Sequence, residues 1–101
     1  MHPPFPARND HKIAWRVIDG QAVILSLEDK QIRGLNPVGT FIWELLDGKT
    51  SLDQIEQNVL EEFNVDLAEV REDIQEFIKS LMKNEMIYFK NPSKSQTKSF
   101  F

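Results

Sequence analysis

The sequence predicts an α+β domain in which a three-stranded antiparallel meander is followed by a three-helix bundle. Alternating apolar residues near the N-terminus are interrupted by Asp19-Gly20, a strong hairpin signal. Asn36-Pro37 then begins a helix, and apolar residues recur at helical spacing from there on. Because a three-stranded sheet cannot bury its face alone, the helices must pack on it. This arrangement is winged-helix-like.

The strands are short and follow one another closely. In the first strand, Ile13, Trp15 and Val17 alternate with Ala14, Arg16 and Ile18. The second strand covers 21–27, with Val23, Leu25 and Leu27 on one face. A polar turn follows, and the third strand is predicted within Lys30 to Leu35. As the last strand of the meander, it is expected to have one open edge.

Each helix begins at a residue that can cap it. Asn36 precedes Pro37, Ser51 forms a capping box with Gln54, and Asp66 forms a weaker one. Gly48 is expected to end the first helix as a left-handed cap, and Asn84 to end the third. The apolar stripes are Val38, Phe41, Ile42, Leu45 and Leu46; then Leu52, Ile55, Val59 and Phe63; then Leu67, Val70, Ile74, Phe77, Ile78 and Leu81.

The 101 residues suffice for one domain. Residues 1–11 carry three prolines, so we expect a flexible N-terminal arm. Residues 12–89 are expected to fold, ending with the apolar run Met86 to Phe89 as a terminal strand or a docked segment. Residues 90–101 are rich in Lys and Ser and end in Phe100-Phe101, and we expect a disordered tail.

Composition argues against several classes of function. There is no cysteine, and the only histidines, His2 and His11, lie in the Pro-rich stretch, so no metal or cofactor is expected. A net charge of −4 opposes binding to nucleic acid. No apolar run approaches the roughly 20 residues of a membrane span, and no signal peptide is recognisable, so we expect a cytoplasmic protein.

Catalytic residues are not evident either. No serine has a histidine placed as its base, and no Gly-rich phosphate loop is present, so the chain is not expected to be an enzyme. Trp15 and Trp43 could be ligand platforms, but core positions are favoured. Seven carboxylates could include paired acids, although the solvated faces of two helices explain them better; they are Glu61, Glu62, Asp66, Glu69, Glu72, Asp73 and Glu76.

The segment from Leu35 to Thr50 reads LNPVGTFIWELLDGKT. It resembles the PqqD-like family, named for the coenzyme PQQ synthesis protein D, whose members show Leu-Asn, a helix ending in Leu-Asp-Gly, and a Thr/Ser-Leu/Val start to the next helix. The similarity continues through Asp73-Ile74, Phe77 and Leu81 and covers about residues 15–87. The two terminal arms depart from the family, and Glu85 stands where relatives often have glycine.

The resemblance implies a non-catalytic recognition element for a ribosomally synthesised and post-translationally modified peptide (RiPP). In the family, the leader segment of the precursor adds as a strand beside the third strand, against the third helix. The implied partners are a precursor peptide and a separate enzyme, which is a radical S-adenosylmethionine maturase or, in lasso-peptide systems, a leader peptidase. The candidate peptide-binding residues are Lys30, Gln31, Ile32, Arg33, Gly34, Leu35, Val70, Asp73, Ile74, Phe77 and Ile78.

Side chains of the third strand suit such a role. Lys30, Gln31 and Arg33 would discourage indiscriminate pairing, and Gly34 would let another backbone come close. A proline at Arg33 is expected to break strand addition.

Two alternative functions and one competing association remain open. A winged-helix regulator would place the third helix on DNA, although the first half of that helix is acidic. A structural subunit of a maturase complex would use Phe5 and Phe100-Phe101 as anchors. A second copy of the chain could also pair with the third-strand edge and form a homodimer.

Overall fold

In a computed structural model that describes residues 5–90, the chain forms five strands and three helices. They are β1 (Phe5–Arg8), β2 (Ile13–Ile18), β3 (Gln21–Ser26), β4 (Ile32–Gly34), α1 (Pro37–Leu45), α2 (Leu52–Glu62), α3 (Leu67–Lys83) and β5 (Ile87–Lys90). The predicted series of three meander strands and three helices is confirmed. The structure adds β1 before it, and the apolar run from Met86, expected as a terminal strand or a docked segment, contributes the strand β5.

The central sheet is antiparallel with the order β2-β3-β4. Asp19 and Gly20 have φ angles of 53° and 79°, the positive values that a type I′ turn requires at both central positions. The next turn contains Lys30 at a φ of 62°, and the Asp29 carboxylate accepts a hydrogen bond from the Gln31 N–H at 3.2 Å. Local turn chemistry therefore sets the meander.

The two faces of the sheet have different surroundings. Ala22 and Ile24 on β3 have no exposed surface and belong to the core formed with the helices. Val23 and Leu25 share the other face, as the alternation predicted, and are only half-buried. The apolar face predicted for β3, with Val23 and Leu25, is therefore the outer face of the sheet. The alternate residues Ala22 and Ile24 belong to the core.

All three helices begin where the capping residues predict. The Asn36 side chain accepts a hydrogen bond from the Gly39 N–H at 2.7 Å, and Ser51 and Asp66 cap α2 and α3 in the same way. These bonds satisfy N–H groups that lack partners in the first turn of a helix. Asn84 follows the end of α3, also as predicted.

The end of α1 differs from the prediction. The helix ends at Leu45, and Leu46 rather than Gly48 is its cap. Gly48 has a φ of 77° in the following turn, where its N–H donates to the Pro6 carbonyl at 2.9 Å. A Cβ atom there would lie 2.7 Å from the Lys90 side chain. The glycine is thus needed for a close approach between chain segments, not for stopping the helix.

The expected flexible arm is wrong for residues 5–8. They form β1, which pairs antiparallel with β5, from Phe5 opposite Lys90 to Arg8 opposite Ile87. Pro6 and Ala7 are buried there. Proline is tolerated in an edge strand because its missing N–H can face away from the partner. The disordered tail was predicted to begin at residue 90, but Lys90 belongs to β5. The four residues before β1 and residues 91–101 of the predicted tail, with Phe100-Phe101, lie outside the described residues.

Arg8 ties this second sheet to the core. Its Nη1 donates to the carbonyl of Trp43 at 2.8 Å and to that of Glu44 at 3.2 Å, at the C-terminal end of α1. A cation is favoured at that end of a helix. The guanidinium also lies 5.0 Å from the centre of the Trp15 ring. Residues 5–8 therefore contribute to the fold.

Both tryptophans are core residues, as favoured by the sequence. Trp43 has no exposed surface, and the half-buried Trp15 ring meets it edge-to-face at 5.8 Å. Trp15 packs against the core cluster, so its position also agrees with the core-edge interpretation.

Thr40 joins the sheet to α1. Leu35, just after β4, donates its N–H to the Ala22 carbonyl at 2.9 Å, but the chain then turns away into the helix. The Ala22 N–H is left without a strand partner, and the buried Thr40 hydroxyl accepts it at 2.8 Å. A side chain of α1 thereby completes the hydrogen bonding of β3 where β4 has ended.

We expect Thr40→Val to lower the free energy of unfolding by about 1–3 kcal/mol, because the buried Ala22 N–H would lose its acceptor. Thr40→Ser keeps the hydroxyl and should lose only the roughly 1 kcal/mol of a buried methyl group. Urea denaturation followed by tryptophan fluorescence measures both. A serine variant as unstable as the valine variant would show that packing, not the hydrogen bond, is what matters here.

Candidate functional site

β4 has one free edge in the part of the chain that the structure describes. It pairs with β3 on one side only. The Gln31 carbonyl accepts from Ser26, and the Leu35 N–H donates to Ala22, so these alternate residues direct their backbone groups toward β3. Arg33, opposite Ile24, does the same. Since successive residues face opposite edges in an antiparallel strand, Ile32 and Gly34 present their N–H and C=O groups outward.

A groove of about 580 Å³ lies between β4 and α3. Its apolar lining comes from all three helices and from the residue after β4. The lining residues are Arg33, Gly34, Leu35, Asn36, Val38, Gly39, Ile42, Val59, Val65, Glu69, Val70, Asp73, Ile74, Glu76, Phe77 and Ser80. The free backbone edge and the apolar groove are therefore neighbours, which gives directional hydrogen bonding and side-chain burial at one place.

Most of the predicted site residues come together in this groove. Those that line it are Arg33, Gly34, Leu35, Val70, Asp73, Ile74 and Phe77. Lys30 lies in the preceding turn, and Ile78 is buried in the core. Ile32 is 72% exposed, on the outer face of the sheet, although its backbone lies on the free edge. The Gln31 carbonyl faces β3, and the exposed residue does not line the groove.

Sequence reasoning missed the contribution of α1 and α2. Val38, Ile42 and Val59 line the groove, as do Val65, before α3, and Glu69 and Glu76 on α3. The helical stripes marked the three apolar residues of α1 and α2 as core, and no local signal shows that core residues also border a cleft. For Glu69 and Glu76 the available signal was their spacing from Asp73: Glu69 lies four residues before it and Glu76 three residues after it, so all three share one side of α3.

Arg33 behaves differently from the polar, outward residue that the sequence suggested. Its guanidinium lies 5.7 Å from the centre of the Phe77 ring, and Nη1 donates to the Ser80 hydroxyl at 2.9 Å. The side chain thus crosses from β4 to α3 and borders one end of the groove. The arginine holds the strand against the helix.

The groove is acidic along its α3 side. Glu69, Asp73 and Glu76 are exposed there, whereas Arg33 is the only cation among the lining residues. An incoming segment with basic side chains would meet complementary charge. Among residues 5–90, no three His, Asp or Glu side chains group as a metal site. No helix in that range is long and apolar enough to cross a bilayer.

Together, the fold and the groove define a class of protein: a small winged-helix-like domain with an open strand edge beside an apolar cleft. The family model of coenzyme PQQ synthesis protein D (PqqD) matches residues 21–87, which is more than half of the chain, so this chain belongs to the PqqD family. The resemblance in the sequence is thereby confirmed.

A solved structure is also similar. It is TbiB1 in complex with the TbiA(beta) leader peptide, with a TM-score of 0.72 and 28% sequence identity, and the match covers 80% of this chain and 93% of that chain. The comparison with curated proteins found no match.

An ion pair links α2 and α3 beside the groove. Arg71 donates two hydrogen bonds to the Glu56 carboxylate, from Nε at 2.9 Å and from Nη2 at 3.0 Å. These bonds lower the pKa of Glu56, against a smaller opposing effect of desolvation. The adjacent residue Val70 lines the groove, so the pair helps to fix its wall.

We expect the stabilisation from this pair to depend on pH. Since the pKa of Glu56 is lower in the folded than in the unfolded chain, the stabilisation is present above the unfolded value of about 4.3. It is lost as the pH falls through the folded value. Wild type should therefore exceed Arg71→Gln in unfolding free energy at pH 7, and the difference should shrink at pH 3. A difference that stays constant in urea titrations between these pH values would contradict this.

Proposed function

We propose that this chain binds the leader segment of a ribosomally synthesised precursor peptide and delivers it to a separate modifying enzyme. The leader adds as a strand to the free edge of β4 and places alternate side chains in the groove against α3. The observation that carries the proposal is the open backbone edge of Ile32 and Gly34 directly beside the apolar groove. The similarity to TbiB1, which is bound to a leader peptide, supports it.

The groove decides the affinity. Each backbone hydrogen bond to β4 contributes about 0.5–1.5 kcal/mol, and only Ile32 and Gly34 offer free groups. Association alone costs about 4–15 kcal/mol, so the short edge cannot retain a peptide by itself. A buried apolar anchor contributes roughly 1.5–3 kcal/mol. Strand addition therefore sets the register of the leader, and side chains in the groove provide most of the binding free energy.

The proposed role is that of a partner protein with no catalysis of its own. Its modifying enzyme is a radical S-adenosylmethionine maturase or a leader peptidase. DNA binding is disfavoured because α3, the expected recognition helix, exposes Glu69, Glu72, Asp73 and Glu76, which would repel phosphates. A docking role for Phe5 is disfavoured as well, since that residue is half-buried in β1.

Proline at Gly34 tests strand addition. Gly34→Pro removes an outward N–H, and its ring would face the incoming strand, so we expect leader affinity to fall about tenfold or more. Gly34→Ala is the matched control: it keeps the N–H, and its Cβ would meet nothing within 4 Å. Fluorescence anisotropy with a labelled leader peptide of the cognate precursor measures both. Equal affinities for the two variants would contradict strand addition at β4.

The position of the proline matters. At Arg33, where the sequence suggested it, proline would break the ladder between β4 and β3, because that N–H faces inward. Lost binding in Arg33→Pro would then report damage to the sheet, and Gly34 is the informative position.

A second prediction concerns charge. Asp73 lines the groove, whereas its neighbour Glu72 does not. We expect Asp73→Asn to weaken binding of a basic leader by about two- to fivefold at low salt, as for an exposed ion pair. Glu72→Gln should leave the affinity unchanged. Titrations at two salt concentrations check this: loss of the difference between the variants at high salt is expected, and equal effects of both variants would exclude a local role for Asp73.

A further inference from the structure

The outer face of the central sheet is apolar and uncovered. Strand register places Ala14, Leu25 and Ile32 in one row across it, and Arg16, Val23 and Gly34 in the next. Ile32 is 72% exposed and Ile18 is 49% exposed, although both are large apolar side chains. The core cluster lies on the opposite face, with Ala22 and Ile24, so nothing among residues 5–90 covers this one.

A surface concavity lies at one end of this face. Gly34 has no atom within 4 Å of where its Cβ would be, and it lines a concavity of about 450 Å³ that also reaches the core residues Ala22 and Leu35. Ile18, Val23 and Asn36 are among its lining residues. An apolar side chain of a partner can enter there. Arg16 is the only charged side chain directed outward from the three strands, so a complementary surface has an apolar centre and a carboxylate opposite Arg16.

The face is too small to hold a second copy of the chain by itself. Three strands at about 4.8 Å spacing and about 20 Å in length cover roughly 300 Å². A stable interface needs about 800 Å² from each partner. Because the face is small, a partner that contacts only this face is expected to bind transiently. Stable binding requires a larger contact area.

The proposed leader strand enlarges it. A strand added to β4 lies next to Ile32 and Gly34, and every second residue of it points to the outer face. The face then has four strands, and one of them is the substrate itself. An enzyme that docks there contacts the recognition domain and the leader together.

We propose that the outer face of the β2-β3-β4 sheet, extended by the bound leader, is the docking surface for the modifying enzyme. This rests on the proposed function, since the leader supplies the fourth strand. The coupling is reciprocal: the leader raises the affinity for the enzyme, and the enzyme raises the affinity for the leader by the same factor. The domain without leader then competes poorly for the enzyme, so the enzyme binds preferentially to the domain that carries a leader.

The test uses Ile18→Glu in the full chain, with Met82→Glu as a matched control. Ile18 is a half-exposed residue of the outer face on β2, the strand farthest from the leader edge of β4. Met82 is an exposed apolar residue of α3 that lies outside both the groove and the outer face. The probes are the cognate precursor peptide and its modifying enzyme. Leader affinity is measured by anisotropy, enzyme affinity by biolayer interferometry with and without leader, and delivery by the single-turnover rate of precursor modification.

We expect wild type and Met82→Glu to bind the enzyme about tenfold more tightly with leader than without it. Ile18→Glu should bind leader within about twofold of wild type, yet lose this enhancement and slow modification about tenfold or more. Arg16→Glu should have a smaller effect in the same direction.

Several outcomes would overturn the proposal. Normal enzyme binding and modification by Ile18→Glu would show that the enzyme docks elsewhere. Loss of leader binding in that variant would assign the Ile18 side chain to the leader site, and leader recognition would still stand. A wild-type dimer that Ile18→Glu dissociates in sedimentation, without effect on enzyme binding, would assign the face to a second copy. Absence of leader binding by wild type would remove the proposed function and this inference together.

Discussion

The hydrogen bond from the Ala22 N–H to the Thr40 hydroxyl is the constraint on which the rest of the structure depends. It satisfies β3 at the point where β4 has ended, so the chain can leave the sheet after Leu35 and enter α1 without a buried unpaired donor. Because β4 stays only three residues long, its free edge is short, which limits unspecific pairing between chains. The same bond holds α1 against the sheet, so that helix can supply part of the groove floor beside that edge.

The groove joins two kinds of recognition that are weak when separate. The backbone edge of β4 is directional but short, and the apolar lining offers burial without direction. Arg33 holds the two together, because it belongs to the strand and contacts Phe77 and Ser80 on α3. Any change in the spacing between β4 and α3 would therefore alter both at once. This arrangement favours a ligand whose backbone and side chains fit simultaneously, which is the property required of a selective peptide carrier.

Much of the fold was predictable because its signals are local. Asp19-Gly20, Asn36-Pro37 and Ser51 each act within four residues of the chain, and the structure has a turn or a helix start at each of them. The site was only partly predictable. Val38 and Val59 reach the groove through packing between distant segments, and the side chain of Arg33 is placed by Ser80, 47 residues away. β1 was missed for the same reason: proline content suggested mobility, whereas pairing with β5 depends on a segment about 80 residues further on.

The pairing of β1 with β5 has a consequence for how this domain can be carried. Phe5 lies opposite Lys90, and Cα atoms of paired residues in an antiparallel ladder are about 4.5–5.5 Å apart. The two ends of the folded unit therefore leave it side by side, and β1 and β5 form a sheet separate from the one that borders the groove. Such a unit can be spliced into a surface loop of a larger protein through two adjacent junctions, with little distortion of the host. The adjacent ends are therefore compatible with both an independent domain and a module inserted in a larger protein.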